Sequence, residues 1–222
     1  MEDGKVMNSV IYEDNHIIVV EKKINIPVQE DDSKDLDLLN IVKQYLKEKY
    51  NKPGNVYLGL IHRLDRPVGG IMVFAKTSKA ASRLSEQVRT HMITKKYYAV
   101  VEGKVNEKGI LKDKLLKDRK NNVVRVDSHG KDCELSYELI SKKDNLNLID
   151  IDLKTGRSHQ IRVQFSSRNN PLFGDQKYNM NAKKGEQLAL FAHTLSFYHP
   201  ITKELMTFKL PMPNRYPFSL FK

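Results

Sequence analysis

Apolar and polar positions along the first part of the chain follow patterns typical of short strands and amphipathic helices. Residues 10–12 and 17–20 are apolar runs separated by a polar turn, which predicts a β-hairpin. Asp35 is placed to cap a helix with Leu38, Leu39, Val42, Tyr45 and Leu46 on one face. Residues 71–75 predict a buried strand. Thr77 or Ser78 then caps a second helix bearing Ala80, Ala81, Leu84, Val88 and Met92.

Beyond about residue 95 the pattern is mainly that of strands. Apolar runs separated by polar or glycine-containing turns predict strands at residues 97–101, 123–126, 133–140, 146–153, 188–197 and 205–210. The lysine-rich segment 112–120 is interpreted as a solvated hairpin, with RNA contact as the alternative. Strands interleaved with a few helices predict an α+β fold on a mixed, largely antiparallel sheet. Because no repeat or linker stands out, we expect residues 1–222 to form a single domain.

The charge of the chain narrows the class of partner. The 222 residues carry a formal net charge of +11 and a pI of about 9.5. The first 50 residues contribute −4 and the remainder +15. A basic balance of this kind suits a partner that carries phosphates. The charge alone does not identify nucleic acid as the partner, because solubility and a lysine-rich composition explain a basic pI more often.

The chain lacks the sequence marks of secretion, membrane insertion and metal binding. Cys133 is the single cysteine and lies in a strand-like run, so we expect a buried thiol and a reducing compartment. The sequence shows no signal-peptide pattern and no apolar run long enough to span a bilayer. The histidines lack metal-ligand spacing, and no nucleotide-binding glycine motif occurs. We therefore predict a cytoplasmic protein without membrane contact, metal or cofactor.

The segment His62-Arg63-Leu64-Asp65-Arg66 places one carboxylate between two arginines. A nearby guanidinium favours the charged form of a carboxyl group, so Asp65 is expected to be ionised at neutral pH. The segment thus combines a candidate nucleophile or base, Asp65, with two candidate phosphate ligands, Arg63 and Arg66. An ordinary surface ion pair is the alternative interpretation of such a short string.

The longer string HRLDRPVGGIMVFAK, residues 62–76, resembles the signature segment of the RluA-type pseudouridine synthases. These enzymes modify RNA, and the resemblance implies that Asp65 is the nucleophile. Residues 95–103 are similar to the K-x-Y-x-A-x-V-x-G segment of the family. This match implies that Tyr97 stacks on the target base. Since side chains alternate along a strand, Tyr98 is expected on the opposite face.

Residues 155–163, TGRSHQIRV, resemble the T-G-R-x-H-Q-I-R segment of the same family. The local pattern predicts either a helix that begins at His159, capped by Ser158, or a strand. The resemblance implies that Arg162 pairs with Asp65 and that Ile161 packs against the base. Other candidate substrate-binding residues in this segment are Arg157, His159 and Gln160.

The chain departs from the family at a few positions. Lys22-Lys23-Ile24-Asn25 stands where K-P-x-G is usual, and Asn179 follows Tyr178 where a glycine is usual. Because asparagine tolerates a left-handed conformation, Asn25 and Asn179 are both expected to preserve the backbone there. Gln164 stands where histidine is common. The S4 RNA-binding domain found in many members has no room before residue 10.

These features together predict a stand-alone RNA pseudouridine synthase with the pseudouridine synthase fold and an active-site cleft across its sheet. Its reaction would isomerise uridines of rRNA or tRNA, presented in a stem-loop, after drawing the target base out of its stack. Asp65 would act either by adding to the uracil ring or by attacking the sugar. The alternative is a non-catalytic RNA-binding or ribosome-assembly protein on the same fold. We expect a monomer.

Overall fold

The computed structural model describes residues 9–222. Part of the N-terminal segment, in which the sequence shows no signal-peptide pattern, therefore lies outside the described residues. The chain divides into two compact units. Unit 1 is the chain up to Ile93 together with Thr194–Leu210, and unit 2 is Thr94–His193 with Pro211–Lys222. The prediction of a single domain stays a prediction. The described elements, in chain order, are β1 (Val10–Glu13), β2 (Ile17–Lys22), α1 (Leu38–Lys49), β3 (Gly59–Leu60), β4 (Gly69–Ala75), α2 (Ser78–Arg89), β5 (Thr94–Glu102), β6 (Lys108–Asp118), β7 (Val123–Val126), β8 (Lys131–Lys143), β9 (Leu146–Leu153), α3 (Gln160–Ser166), β10 (Leu190–Tyr198), β11 (Leu205–Lys209) and a 3-10 helix (Phe218–Phe221).

Unit 1 is built on an antiparallel set of strands. The predicted hairpin is confirmed as β1 and β2, and β2 pairs with β4 from Ile17 opposite Ala75 to Lys22 opposite Gly70. The segment of β10 that begins at Thr194 pairs with β11. Alternate residues of these strands form an apolar core with α2: Ile17, Val19, Ile71, Val73, Ala75, Ala80, Leu84, Ile93, Leu195 and Phe197. This core holds β2 and β4 in place, and the turn that contains Asp65 leads directly into β4.

The helices of unit 1 begin at side-chain caps. Of the two predicted caps, Thr77 and not Ser78 caps α2, since the Thr77 hydroxyl accepts a hydrogen bond from the Ala80 amide at 3.2 Å. The cap of α1 is Asp37, whose carboxylate accepts from the Asn40 amide at 3.0 Å, so the prediction of Asp35 was wrong by two residues. Asp35 instead binds Arg66. Met92 was also wrongly placed on the apolar face of α2, because it follows the helix and is half exposed.

Unit 2 is a second antiparallel set, in the order β5-β9-β8-β6-β7, with the first residues of β10 beside β5. The hairpin predicted around residues 112–120 is confirmed as β6 and β7. The TGRSHQIRV segment forms a turn followed by α3. Of the two alternatives predicted for this segment, the helix is therefore confirmed and the strand was wrong. Ser158 does not cap this helix; His159 takes the cap position in a left-handed conformation, φ 51° and ψ 20°. Cys133 is buried as predicted.

Candidate active site

Asp65 lies in a turn held by buried neighbours. Its carbonyl accepts a hydrogen bond from the Val68 amide at 2.9 Å, which closes the turn immediately before β4. Leu64 and Val68 are buried on either side, whereas Asp65 is partly buried and Arg63 is exposed. Leu64 and Val68 fix the backbone of the turn by packing in the interior, and the charged residues Asp65 and Arg66 between them are only partly buried. The turn thus presents a carboxylate from a rigid support.

The side chain of Lys22 binds the backbone of this turn. Its side chain is fully buried at the end of β2, and its ammonium donates to the carbonyls of Lys23 (3.0 Å), Arg66 (3.0 Å) and Val68 (2.8 Å). Burial lowers the pKa of Lys22 to about 7, although the charge of Asp65 opposes this shift. Sequence reasoning did not identify Lys22 as a site residue. The only indication in the sequence was that Lys22 ends an otherwise mainly apolar strand.

The two asparagines that replace glycines of the family behave differently. Asn25 has a φ of 64°, as predicted, and its amide donates to the Arg66 carbonyl at 2.9 Å. Asn179 does not adopt a positive φ, so the prediction was wrong at this position. Its buried side chain instead donates to Glu102 Oε1 at 2.7 Å and to the Leu172 carbonyl at 3.1 Å. A side-chain anchor takes the place of the backbone conformation there.

The two arginines beside Asp65 have different surroundings. The guanidinium of Arg66 binds the carboxylate of Asp35, donates to Ser33 Oγ at 2.8 Å, and lies 3.6 Å from Asp31. Its hydrogen bond to Asp35 lowers the pKa of that carboxyl. Arg63 is exposed and makes no hydrogen bond or salt bridge to the residues 9–222 that the structure describes. Of the two, Arg63 has its guanidinium available for a phosphate.

In unit 2, Arg162 forms a buried bidentate pair with Asp175. Arg162 Nε donates to Asp175 Oδ2 at 2.8 Å, and Nη2 donates to Oδ1 at 2.7 Å. The two residues are 6% and 1% exposed. Asp175 also accepts from the amides of Lys177 (3.0 Å) and Tyr178 (3.2 Å). Two parallel hydrogen bonds fix the plane of the guanidinium, so α3 presents Arg162 in one orientation. Sequence reasoning did not identify Asp175, which follows Gly174 in the loop after α3.

Tyr178 joins this pair to the start of α3. Its ring lies 5.1 Å from Arg162 Cζ, a cation–π distance. Its hydroxyl accepts a hydrogen bond from the Val124 amide at 2.9 Å and lies 2.6 Å from His159 Nδ1. His159, predicted to bind substrate, is thereby held in place by Tyr178. The contact with Tyr178 holds the His159 side chain, and α3 begins after it without a side-chain cap.

Gln160 organises the turn before α3. It is buried, and its oxygen accepts from Thr155 Oγ1 (2.8 Å) and from the Arg157 amide (3.1 Å). Its nitrogen donates to the Glu134 carbonyl at 3.1 Å and to Gln164 Oε1 at 3.0 Å. These four bonds use the whole amide, so the geometry favours a positioning role over the substrate contact predicted from the sequence. Arg157 is exposed, with Nε donating to the Asp132 carbonyl at 3.0 Å.

The aromatic pair on β5 has its members on opposite faces. Tyr98 stacks on His193 with ring centroids 3.8 Å apart, and His193 Nε2 lies 3.1 Å from Asp150 Oδ1. Tyr97, the next residue back along the strand, points to the other face and is 6% exposed. Ile161 on α3 is 4% exposed. The predicted separation of the two tyrosines is therefore confirmed, and Tyr98 belongs to a separate polar cluster.

The structure adds two observations on other kinds of site. Within residues 9–222, no three His, Cys, Asp or Glu side chains are grouped as they would be around a metal ion. None of the described helices combines the length and the apolar character that crossing a membrane requires.

Comparison with known proteins identifies the family. The human protein RNA pseudouridylate synthase domain containing 4 has a similar fold, with a TM-score of 0.82 at 20% identity over 99% of this chain and 94% of that one. An RNA pseudouridine synthase of Bacillus subtilis is 31% identical over 210 residues, covering 92% of this chain and 68% of the relative. Ribosomal large subunit pseudouridine synthase D of Zymomonas mobilis is 32% identical over 219 residues, covering 92% and 69%. Residues 16–167 match the family model for RNA pseudouridylate synthase. The chain therefore belongs to the RNA pseudouridylate synthase family, as its resemblance to the RluA-type enzymes predicted, and is an RNA pseudouridine synthase.

Proposed function

We propose that this enzyme isomerises uridine in large-subunit ribosomal RNA and that Asp65 is its nucleophile. The observation that carries the assignment is the position of Asp65 inside the segment matched to the family, in a turn whose Arg66 and Val68 carbonyls accept hydrogen bonds from the buried ammonium of Lys22. Relatives that cover most of this chain carry the name ribosomal large subunit pseudouridine synthase. That name supports ribosomal RNA over tRNA as the substrate.

The reaction requires a nucleophile, a way to take the uridine out of its stack, and a pocket that retains the detached base. The N1–C1′ bond of uridine breaks, the base turns while it is retained, and C5 bonds to C1′ as the C5 proton leaves and N1 gains a proton. Asp65 supplies the attacking carboxylate, at the ring or at the sugar. A target uridine inside a helix must first leave its stack, which costs a few kcal/mol. The fold must then hold the detached base in one pocket, which favours the second bond over escape.

Residues of unit 2 are proposed to hold the base and the nucleophile. Asp175 occupies two of the three guanidinium nitrogens of Arg162. We assign the remaining side of that guanidinium to the Asp65 carboxylate, which it would keep ionised and oriented. Tyr97 and Ile161, both nearly buried, are assigned to the two faces of the uracil.

Recognition of RNA is proposed to rest on charge and shape. Unit 2 carries 22 Lys and Arg against 13 Asp and Glu, which is +9 of the net charge of +11. Phosphate contacts supply most of the affinity of such surfaces, and a stem-loop adds splayed bases that can be read individually. We propose that one monomer binds one such site, and that residues 1–222 act as one catalytic domain.

Tritium release tests the function directly. Large-subunit rRNA transcribed with uridine tritiated at C5 is incubated with wild type, Asp65→Asn, and Asp132→Asn as a control for the loss of one exposed carboxylate. Release to water by wild type and Asp132→Asn, with none by Asp65→Asn despite normal RNA binding, is the expected result. Release by Asp65→Asn would exclude Asp65 as nucleophile. Release from tRNA but not rRNA would overturn the substrate assignment.

A further inference from the structure

Lys95 occupies an unusual position beside the turn that precedes α3. It lies on β5 two residues before Tyr97, so both side chains emerge from the same face of the strand. Its ammonium sits over Gly156, where a Cβ would lie only 3.2 Å from Nζ. Gly156 itself is exposed. The absence of a side chain at this position therefore makes room for the ammonium and leaves it accessible from the turn.

The ammonium of Lys95 has no partner of its own in residues 9–222. It makes no hydrogen bond and no salt bridge to a described residue, although the side chain is partly buried. Burial alone lowers the pKa of Lys95, and no carboxylate opposes the shift. The adjacent Lys96 differs, because Asp152 lies directly opposite it on β9. The ammonium is thus partly desolvated and has no acceptor among the described residues, so a ligand that supplies an acceptor can bind it without displacing an existing contact.

A second cation, Arg157, adjoins Gly156 in the sequence. Arg157 follows Gly156 directly and is exposed, and only its Nε is engaged, by the Asp132 carbonyl at 3.0 Å. The terminal nitrogens of Arg157 are therefore not engaged by a described residue, and Gly156 beside it leaves space over the Lys95 ammonium. An ammonium above a position without a side chain suits a ligand with a full negative charge and acceptor oxygens.

We propose that Lys95 binds a backbone phosphate of the RNA substrate beside the nucleotide that stacks on Tyr97. The inference rests on the proposed function in taking RNA as the ligand. It assigns Lys95 to binding rather than to the fold: the phosphate supplies the acceptor that the protein does not provide.

The first test separates binding from folding. Lys95→Met removes the charge at nearly constant length, Lys95→Arg retains it, and Lys96→Met is the matched control on the same strand and opposite face. Because Lys95 pays a desolvation cost without a partner, Lys95→Met is expected to raise the melting temperature in the absence of RNA. Lys96→Met is expected to leave it unchanged or lower it. A lower melting temperature for Lys95→Met alone would assign the residue to the fold and overturn the proposal.

The second test measures affinity for large-subunit rRNA transcribed in vitro over a series of salt concentrations. Loss of one charge-assisted contact should weaken binding by Lys95→Met about tenfold. The slope of log affinity against log salt should fall by about 0.7 to 0.9, the value for one phosphate. Lys95→Arg and Lys96→Met should retain the wild-type slope. Equal slopes for Lys95→Met and wild type would show that no phosphate binds there and overturn the proposal.

The outcomes separate this inference from the proposed function. Wild type that binds rRNA but releases no tritium would contradict the proposed reaction, while the slopes would still decide the role of Lys95. Wild type that releases tritium, with Lys95→Met and Lys96→Met equal in affinity and slope, would contradict only the role of Lys95. Wild type that binds no RNA would overturn both.

Discussion

The carboxylate of Asp175 binds two nitrogens of the Arg162 guanidinium, at 2.8 and 2.7 Å, in a pair from which water is almost excluded. Removing one member of such a pair leaves the other charge buried without its partner, which costs about 3 to 5 kcal/mol. Asp175→Asn should therefore lower the free energy of unfolding by about 3 kcal/mol. Urea denaturation measures the change.

The control for this prediction is Asp132→Asn. The Asp132 side chain is 87% exposed and 4.0 Å from Lys114, so its neutralisation should alter stability by less than about 0.5 kcal/mol. If Asp175→Asn and Asp132→Asn were equally stable, the Arg162–Asp175 pair would not hold α3 in place. Asp175→Asn should also lose turnover, because Arg162 would no longer be fixed in orientation.

The pKa of Lys22 makes stability depend on pH in a defined direction. The folded-state pKa of about 7 lies below the ordinary value of 10.5, so between these values the unfolded chain binds more protons. Stability from this group therefore rises with pH over that window, and the cost of the buried charge is largest below pH 7. Relative to Lys22→Met, wild type should gain about 3 kcal/mol between pH 7 and 10.

Chemical denaturation of wild type and Lys22→Met across this pH range checks the prediction. Lys23→Met provides the control, because Lys23 is exposed and paired with Glu21 at the surface. The difference between wild type and Lys23→Met should stay flat with pH. A flat difference for Lys22→Met as well would mean that Lys22 remains fully protonated in the fold.

Arg63 and Arg66 should contribute differently to RNA binding. Arg63 has no partner among the described residues, whereas Arg66 is bound by Asp35 and Ser33. Arg63→Gln should reduce the salt slope of RNA binding by about 0.7 to 0.9, as expected for one phosphate contact. Arg66→Gln should leave the slope unchanged. The reverse order would mean that RNA displaces Asp35 from Arg66.

The two tyrosines of β5 provide a test on one strand. The resemblance that places Tyr97 on the target base also implies that its hydroxyl takes part in shifting the C5 proton. Tyr97→Phe keeps the ring and removes this hydroxyl, so tritium release should slow by at least about 100-fold with RNA affinity retained. Tyr98→Phe keeps the stack on His193 and should stay within twofold of wild type, since its side chain is on the other face. Equal rates for the two variants would remove Tyr97 from the chemistry.

Local features of the fold could be predicted from the sequence. The hairpin of β1 and β2, the strand β4 and the cap at Thr77 follow from short apolar runs and a hydroxyl at a helix start. Asn25 was correctly placed in a left-handed conformation, because the family usually has glycine there and asparagine tolerates that conformation. In each case the determining interactions lie within a few residues of one another, where spacing along the chain is informative.

Long-range partners could not be predicted in the same way. Lys22 takes its acceptors from Arg66 and Val68, 44 and 46 residues away, and no local pattern encodes them. The pairing of Asp175 with Arg162 was not predicted, because the resemblance directed attention to Asp65 as the partner of Arg162. The wrong cap prediction at Asp35 also has a long-range cause. Asp35 and Asp37 both suit the cap of α1 by residue type, and Asp35 instead binds Arg66, 31 residues away.

The aspartates that bind Arg66 give the Asp65 turn an electrostatic polarity. Asp31 and Asp35 outnumber the one guanidinium that they share, so the surroundings of Arg66 are net acidic, whereas Arg63 is exposed and unpaired among the described residues. A phosphate chain is attracted to Arg63 and repelled by the two aspartates. We therefore expect a polynucleotide to approach Asp65 past Arg63 and to avoid the acidic pair.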